Sequence, residues 1–350
     1  MTISFGEFLS EMIINPTLMV ITVLTLLVII LNGGMDAGST VSTCVSTHSV
    51  NPKNAVVMAA VFNLLGLVAV TAVNMKVAQT IYELVDFNGT YRHSIIGLCS
   101  ALLAMMIWTL LAYQYKIPTS ESHSVIAAIT GAAVAVSGNI FCINFGQWTK
   151  VLYGIILSLV IAFLWGWLII KVTAKIFGFV DRRKTFVHFK HGQIASAAAL
   201  SFMHGAQDGQ KFVGVFLIGI FLSADHVMSE NFYVPLWLVV LCGAFMAMGT
   251  FYGGRRMRKA VGLLSIKVEK YQGFSIDLGA TLCLFGASLW GIPMSMKHTK
   301  ISALLGVEAA KGFYSLDFKV FREMLISLIL VFPGCGIIAY GLTVFLINVI

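Results

Sequence analysis

Charge is what this sequence has least of. Only 11% of its 350 residues are charged, against 58% hydrophobic, and the mean hydropathy is +0.90. Soluble globular chains carry about a quarter charged residues, so water is excluded as the solvent for most of this surface. The six cysteines (Cys44, Cys99, Cys142, Cys242, Cys283, Cys335) stand singly in apolar segments, with no C-x-x-C and no His/Cys ligand spacing. That argues against a disulfide framework and a structural zinc site, and for small buried apolar residues. No G-x-S-x-G, Walker loop, dinucleotide fingerprint or H-E-x-x-H occurs, which leaves no motif for an enzyme or a nucleotide cofactor. Near the N-terminus stand Glu7 and Glu11 where a signal peptide would carry basic residues, so no removed leader is expected.

What is present in quantity is apolar sequence. Stretches long enough to cross a bilayer fall at about 16–50 (interrupted), 55–79, 93–115, 117–137, 150–171, 191–224 (interrupted), 232–253, 272–291, 294–312 and 324–347, which predicts an all-α polytopic membrane protein of about ten spans. The net charge of +8 belongs to loops at the membrane surface and not to nucleic-acid binding. Lys175, Arg182, Arg183, Lys184 and Lys190 form one basic cluster; Arg255, Arg256, Arg258, Lys259, Lys267 and Lys270 form another, two spans later. The positive-inside tendency puts both in the cytoplasm of a multi-pass cell-membrane protein. Asp225, Glu230, Glu83 and Asp86 then lie in outside turns.

The most informative feature is a duplication. NGGMDAGST surrounds Asp36 and HGAQDGQKF surrounds Asp208; farther on come PTSESH (Pro118–His123) and PMSMKH (Pro293–His298), both P-x-S-x-x-H. From Asp to Pro the distance is 82 residues in one copy and 85 in the other. With about five spans per copy, the second is turned over relative to the first. This predicts two inverted-topology repeats, 1–175 and 191–350, joined by a basic linker at 176–190. In such folds the substrate site lies near the midplane, where discontinuous helices of the two copies meet.

Charge inside a bilayer costs about 2.5–3.5 kcal/mol even on lenient scales, so Asp36 and Asp208 must have partners. Gly33, Gly34 and Gly38 in one copy, and Gly205 and Gly209 in the other, predict broken signature helices that offer freed backbone groups to an ion. Ser39, Thr40, Ser42, Thr43, Ser46 and Thr47 form a hydroxyl run suited to a tetrahedral oxyanion, although such side chains also bond their own helix carbonyls. In P-x-S-x-x-H, Ser120 and Ser295 are expected to cap helix N-termini, which attract anions. His123 and His298 follow, with hydrogen-bonded packing the simpler role for each. Glu121, Lys211 and Lys297 sit within the motifs, as functional intramembrane charges do. The expected substrate residues are Ser39, Thr40, Thr43, Ser120, Ser122, Ser295, Lys211 and Lys297. The expected coupling-ion residues are Asp36, Asp208, Gln207, Gln210 and Glu121, with Asp36 and Asp208 as ligands of any bound Na+; no other cofactor is expected.

At these motifs the sequence resembles the inorganic phosphate transporter (PiT) family, which carries G-A-N-D-x-x-N twice (here Gly33–Ser39 and Gly205–Lys211) and P-x-S-T-T-H twice. Pro52, Gln193, Ser196 and GFSIDLGA (Gly273–Ala280) add to the resemblance, which runs from about residue 18 to 346. It implies a homodimeric secondary carrier with unwound signature helices, moving phosphate with Na+ or H+; sulfate, equally tetrahedral, is the alternative cargo. The sequence departs from the family at the ion ligands. Met35 and Gln207 replace the first Asn, Ser39 and Lys211 replace the last, and Lys297 replaces a Thr. A thioether is a poor ligand for a hard cation, and a fixed ammonium can stand in for a co-transported ion, so altered ion coupling is expected. A channel or an intramembrane enzyme fits two inverted copies of one site less well.

Overall fold

The computed structural model describes residues 4–115, 117, 119–180, 182–223, 232–253, 268–312 and 316–349. The turn with Asp225 and Glu230, the basic residues Arg255 to Lys267, and Pro118 lie outside the described residues.

Helices begin where the sequence supplies caps. Asn15 accepts hydrogen bonds from the Thr17 and Leu18 amides ahead of α2 (Pro16–Ser46), whose first residue is proline. Asn51 and Pro52 start α3 (Pro52–Val73) in the same way; a proline in the first turn sacrifices no helical hydrogen bond. A short α1 (Phe5–Ile14) precedes them, closed by a Ser4–Glu7 capping box, with Phe8 packed on Trp237 and Phe216. After α3 come α4 (Lys76–Tyr82), α5 (Tyr91–Gln114), α6 (Glu121–Ser137) and α7 (Phe145–Phe177). The second half holds α8 (Arg182–His204), a π turn (Gly205–Gly209), α9 (Gln210–Ser223) and α10 (Leu236–Gly253). It ends with α11 (Lys270–Trp290), α12 (Met296–Ala309) and α13 (Phe318–Val349).

The fold is that of an all-α polytopic membrane protein. Among the described residues, seven helices (α2, α3, α5, α7, α10, α11 and α13) are long and apolar enough to cross a membrane, and α8, the π turn and α9 form one further continuous rod. Three expectations change in detail. The stretches 117–137 and 294–312 do not make full spans: α6 has 17 residues and α12 has 14, about 25 and 21 Å at 1.5 Å per residue, short of a hydrocarbon core of about 30 Å. The stretch 55–79 is broken at Asn74, whose side chain donates to the carbonyls of Ser288 and Leu289. Of the segment 176–190, residues 182–190 are already helical, the first turns of α8.

The signature segments also differ from full unwinding. The first stays α-helical through Asp36, and the second only widens into the π turn around Asp208. Their glycines serve close approach instead of freeing the backbone. A Cβ on Gly33 would run into the Met246 carbonyl of α10, and one on Gly205 into the Asn63 carbonyl of α3. The helices touch backbone to backbone at both places.

Packing between the halves is reciprocal. The first signature helix α2 lies on α10, and α8 lies on α3; half-helix α6 lies on α13, and half-helix α12 lies on α7. Neither half could bury its surfaces alone. All six cysteines are free, and all but the half-buried Cys99 are buried.

Candidate functional site

The half-helices α6 and α12 start head to head in the protein interior. Ser120 and Ser295 cap them, each accepting from the amide of the histidine three residues on, and their hydroxyls meet at 2.8 Å. The His123 and His298 rings face each other at 5.1 Å between centroids. Neither ring nitrogen of His123 has a hydrogen-bond partner. Two helix N-termini aimed at one point make that point attractive to an anion.

Around this junction sit most of the motif charges. Lys297 Nζ lies 2.7 Å from Asp36 Oδ1 and 2.6 Å from Glu121 Oε2, and donates to the Thr119 carbonyl at 3.1 Å. Lys211 Nζ lies 2.6 Å from Asp208 Oδ1, 2.9 Å from Ser122 Oγ and against the Met294 carbonyl. Ser122 donates to Asp208 at 2.7 Å. Asp36, Glu121, Asp208 and Lys211 are buried; the Lys297 side chain, 20% exposed, is the one charged group of this centre that reaches the surface. In lipid such charges persist only when paired in this way.

His204 completes the centre, and the sequence reading did not single it out. Its Nε2 lies 3.5 Å from Asp36 Oδ2 and 3.3 Å from Asp208 Oδ2, so the two signature carboxylates share one imidazole. Thr250 donates to the Met246 carbonyl and accepts from Asn63 Nδ2, which turns Asn63 Oδ1 toward His204 Nδ1 at 3.1 Å. Nδ1 is therefore the donor to Asn63, which leaves Nε2 facing the two carboxylate oxygens. The available signal was position: His204 stands one helical turn before Asp208.

Other expected residues lie elsewhere. Gln207 turns away to tie the approach to α12, donating to Ser288 Oγ (2.9 Å) and accepting from the Met294 amide (3.2 Å). Gln210 donates to the Asn74 carbonyl at 2.7 Å. Ser39, Thr40 and Thr43 face a second cluster. There Lys300 donates to the Ser39 and Thr40 carbonyls and to Thr43 Oγ1, and pairs with Asp277 at 3.0 Å. Ser42, Ser46 and Thr47 bond carbonyls of their own helix.

A cation could be held by Asp36, His204 and Asp208, whose ligand atoms lie within 4.8 Å of one another. For Na+ this set is poor. It mixes one imidazole with two carboxylates already facing ammonium groups, and Gln207 is committed to backbone and Ser288. Hard cations prefer a shell of oxygens.

A polytopic helical bundle with buried, mutually neutralising charges where two half-helices meet is the construction of a membrane transporter. The model of the phosphate transporter family matches residues 32–187 and 178–339. A probable low-affinity inorganic phosphate transporter of Bacillus subtilis is 32% identical over 341 residues, 95% of this chain and 99% of that one. Its counterpart in Rhizobium meliloti is 30% identical over 312 residues, covering 88% and 90%. Among solved structures, the sodium-dependent phosphate transporter superposes with a TM-score of 0.85 at 19% identity, over 96% of this chain and 100% of that one; it shares the fold. The chain belongs to the phosphate transporter family, and it is a transporter and not an enzyme.

Proposed function

We propose that this protein carries inorganic phosphate across the membrane in symport with protons and without a requirement for Na+. The observation that carries this reading is the Lys297 ammonium lodged between Asp36 and Glu121, with Lys211 on Asp208. These are places where carboxylates would otherwise need a bound cation, and here the chain supplies its own.

The same two ammonium groups, with the hydroxyls of Ser120, Ser122 and Ser295 and the open N-termini of α6 and α12, are the anion-binding groups of the centre. A phosphate that docks on Lys211 and Lys297 competes with Asp208, Asp36 and Glu121 for them. Carboxylates that lose their ammonium partners in a buried site become stable only by gaining a proton. Binding of the oxyanion and uptake of protons are thereby linked, each favouring the other. Glu121 Oε1, which has no hydrogen-bond partner, and the shared position between His204 and the signature carboxylates are where such protons would reside. The bacterial relatives named as phosphate transporters agree with this cargo. Phosphate, unlike sulfate, also keeps a proton of its own to donate to a displaced carboxylate.

The test is uptake of radioactive phosphate into proteoliposomes under an imposed pH gradient or an imposed Na+ gradient, with sulfate and arsenate as competitors. Uptake driven by the pH gradient in Na+-free buffer, inhibited by arsenate and not by sulfate, is expected. Strict dependence on Na+ refutes the coupling, and stronger inhibition by sulfate refutes the cargo.

A further inference from the structure

The second buried cluster does not belong to the anion centre. Asp277 of α11 accepts from Thr43 of α2 (2.5 Å) and Gln193 of α8 (2.8 Å) and pairs with Lys300 of α12 (3.0 Å). Asp277 is fully buried and Lys300 nearly so. Four helices from both halves of the chain thus meet in one ion-paired junction. Its place is about 10 Å from Asp36 along α2, seven residues at 1.5 Å each, toward the face where α2 ends and α8 begins. Lys270 closes the rim there by donating to the Thr47 carbonyl at 2.7 Å.

The other half of the molecule shows what the fold does without charge. Signature residues Asp36 and Asp208 are 172 positions apart, and capping serines Ser120 and Ser295 are 175 apart. In that register the counterparts of Gln193, Thr43, Asp277 and Lys300 are Ile21, Val215, Leu102 and Val125. All four are buried in one continuous apolar core. The equivalent positions are therefore polar in one half of the repeat and aliphatic in the other.

Stability does not account for the difference. A buried ion pair is often no more stabilising than an apolar replacement of similar volume, and at the equivalent positions the chain buries aliphatic side chains. What the ion pair adds is the ability to part in water: separated Asp and Lys side chains are well solvated, whereas Leu and Val are not. The geometry points to the Thr43–Gln193–Asp277–Lys300 junction as the hydratable gate of the transport route, the one that separates to open the anion centre to the face where α8 begins. This rests on the protein being a phosphate carrier, since only an alternating route needs such a gate.

Cys44, buried beside Thr43, is a built-in reporter. In protein whose five other cysteines are alanine, a membrane-impermeant maleimide added to sealed vesicles exchanging phosphate should modify Cys44 from one face. That face is the one on which a cysteine at fully exposed Phe179 (F179C) reacts. Reaction only from the opposite face, or none during active exchange, overturns the gate. Independently, D277L/K300V, which imports the residues of the aliphatic junction, should bind phosphate in detergent within about twofold of the unmodified protein. Its exchange rate should fall by at least about 100-fold, the Boltzmann weight of wetting one Leu and one Val on opening. Undiminished exchange in the folded double variant overturns the gate as well. If the unmodified protein exchanges no phosphate, it is the carrier function that fails, a result distinct from either.

Discussion

Replacing Lys297 by threonine is the sharpest probe of the ion coupling. The Lys297 ammonium touches two carboxylates, Asp36 at 2.7 Å and Glu121 at 2.6 Å, both almost wholly buried. Removing one partner of a buried pair typically costs about 3–5 kcal/mol, because the remaining charge is left uncompensated. Here two charges are left. The vacated space has oxygen ligands on both sides and a threonine hydroxyl, a better setting for Na+ than the original one. At a hundredfold excess over its dissociation constant, a bound ion restores about 2.7 kcal/mol. The expected outcome is a Lys297→Thr protein that unfolds at lower temperature than the unmodified one in choline chloride and recovers in sodium chloride at equal ionic strength. Its phosphate uptake should become Na+-dependent. Lys297→Met, which removes the charge without adding an oxygen, should be destabilised and should not recover. Thermal unfolding followed by intrinsic fluorescence, together with proteoliposome uptake, reads all three proteins. If Lys297→Thr unfolds alike in both salts and transports like the unmodified protein, the lysine is not standing in for a cation.

Two further outcomes follow from the same geometry. Lys211→Met leaves Asp208 without its ammonium and Ser122 without its donor; equilibrium binding should show phosphate affinity lost, with destabilisation of about 3–5 kcal/mol in denaturant unfolding. Gly205→Ala puts a methyl against the Asn63 carbonyl and should cost about 1–3 kcal/mol as α3 is forced away, whereas Gly286→Ala, with open space around it, should leave the unfolding temperature unchanged.

Much of the central cluster of charges and capped helices was legible because its parts are local in sequence. The P-x-S-x-x-H motifs announce two capped helices, since a serine cap and the amide it satisfies are three residues apart. Asp36, Asp208, Glu121, Lys211 and Lys297 stood out because each is a charge in apolar surroundings, and membrane energetics allows few reasons for that. Pairing was not legible in the same way. Lys297 meets Asp36 and Glu121 across 261 and 176 positions, and nothing in any of the three motifs says which carboxylate takes which ammonium. Gln207 and Gln210 show the limit of analogy by position. Each stands in the signature, yet each donates to a backbone carbonyl outside the centre.

By itself, the sequence determined the solvent, the helical class, the duplication and the presence of charged side chains inside apolar segments. Each follows from composition or from spacing within one helix. Only the tertiary structure decided that the half-helices start head to head, that His204 joins the two signature carboxylates, and that one junction is ion-paired where its counterpart is aliphatic. Those features arise from contacts between helices more than eighty residues apart in most cases. Which faces meet is settled by packing of backbone against glycine, and by the demand that every buried charge find a partner.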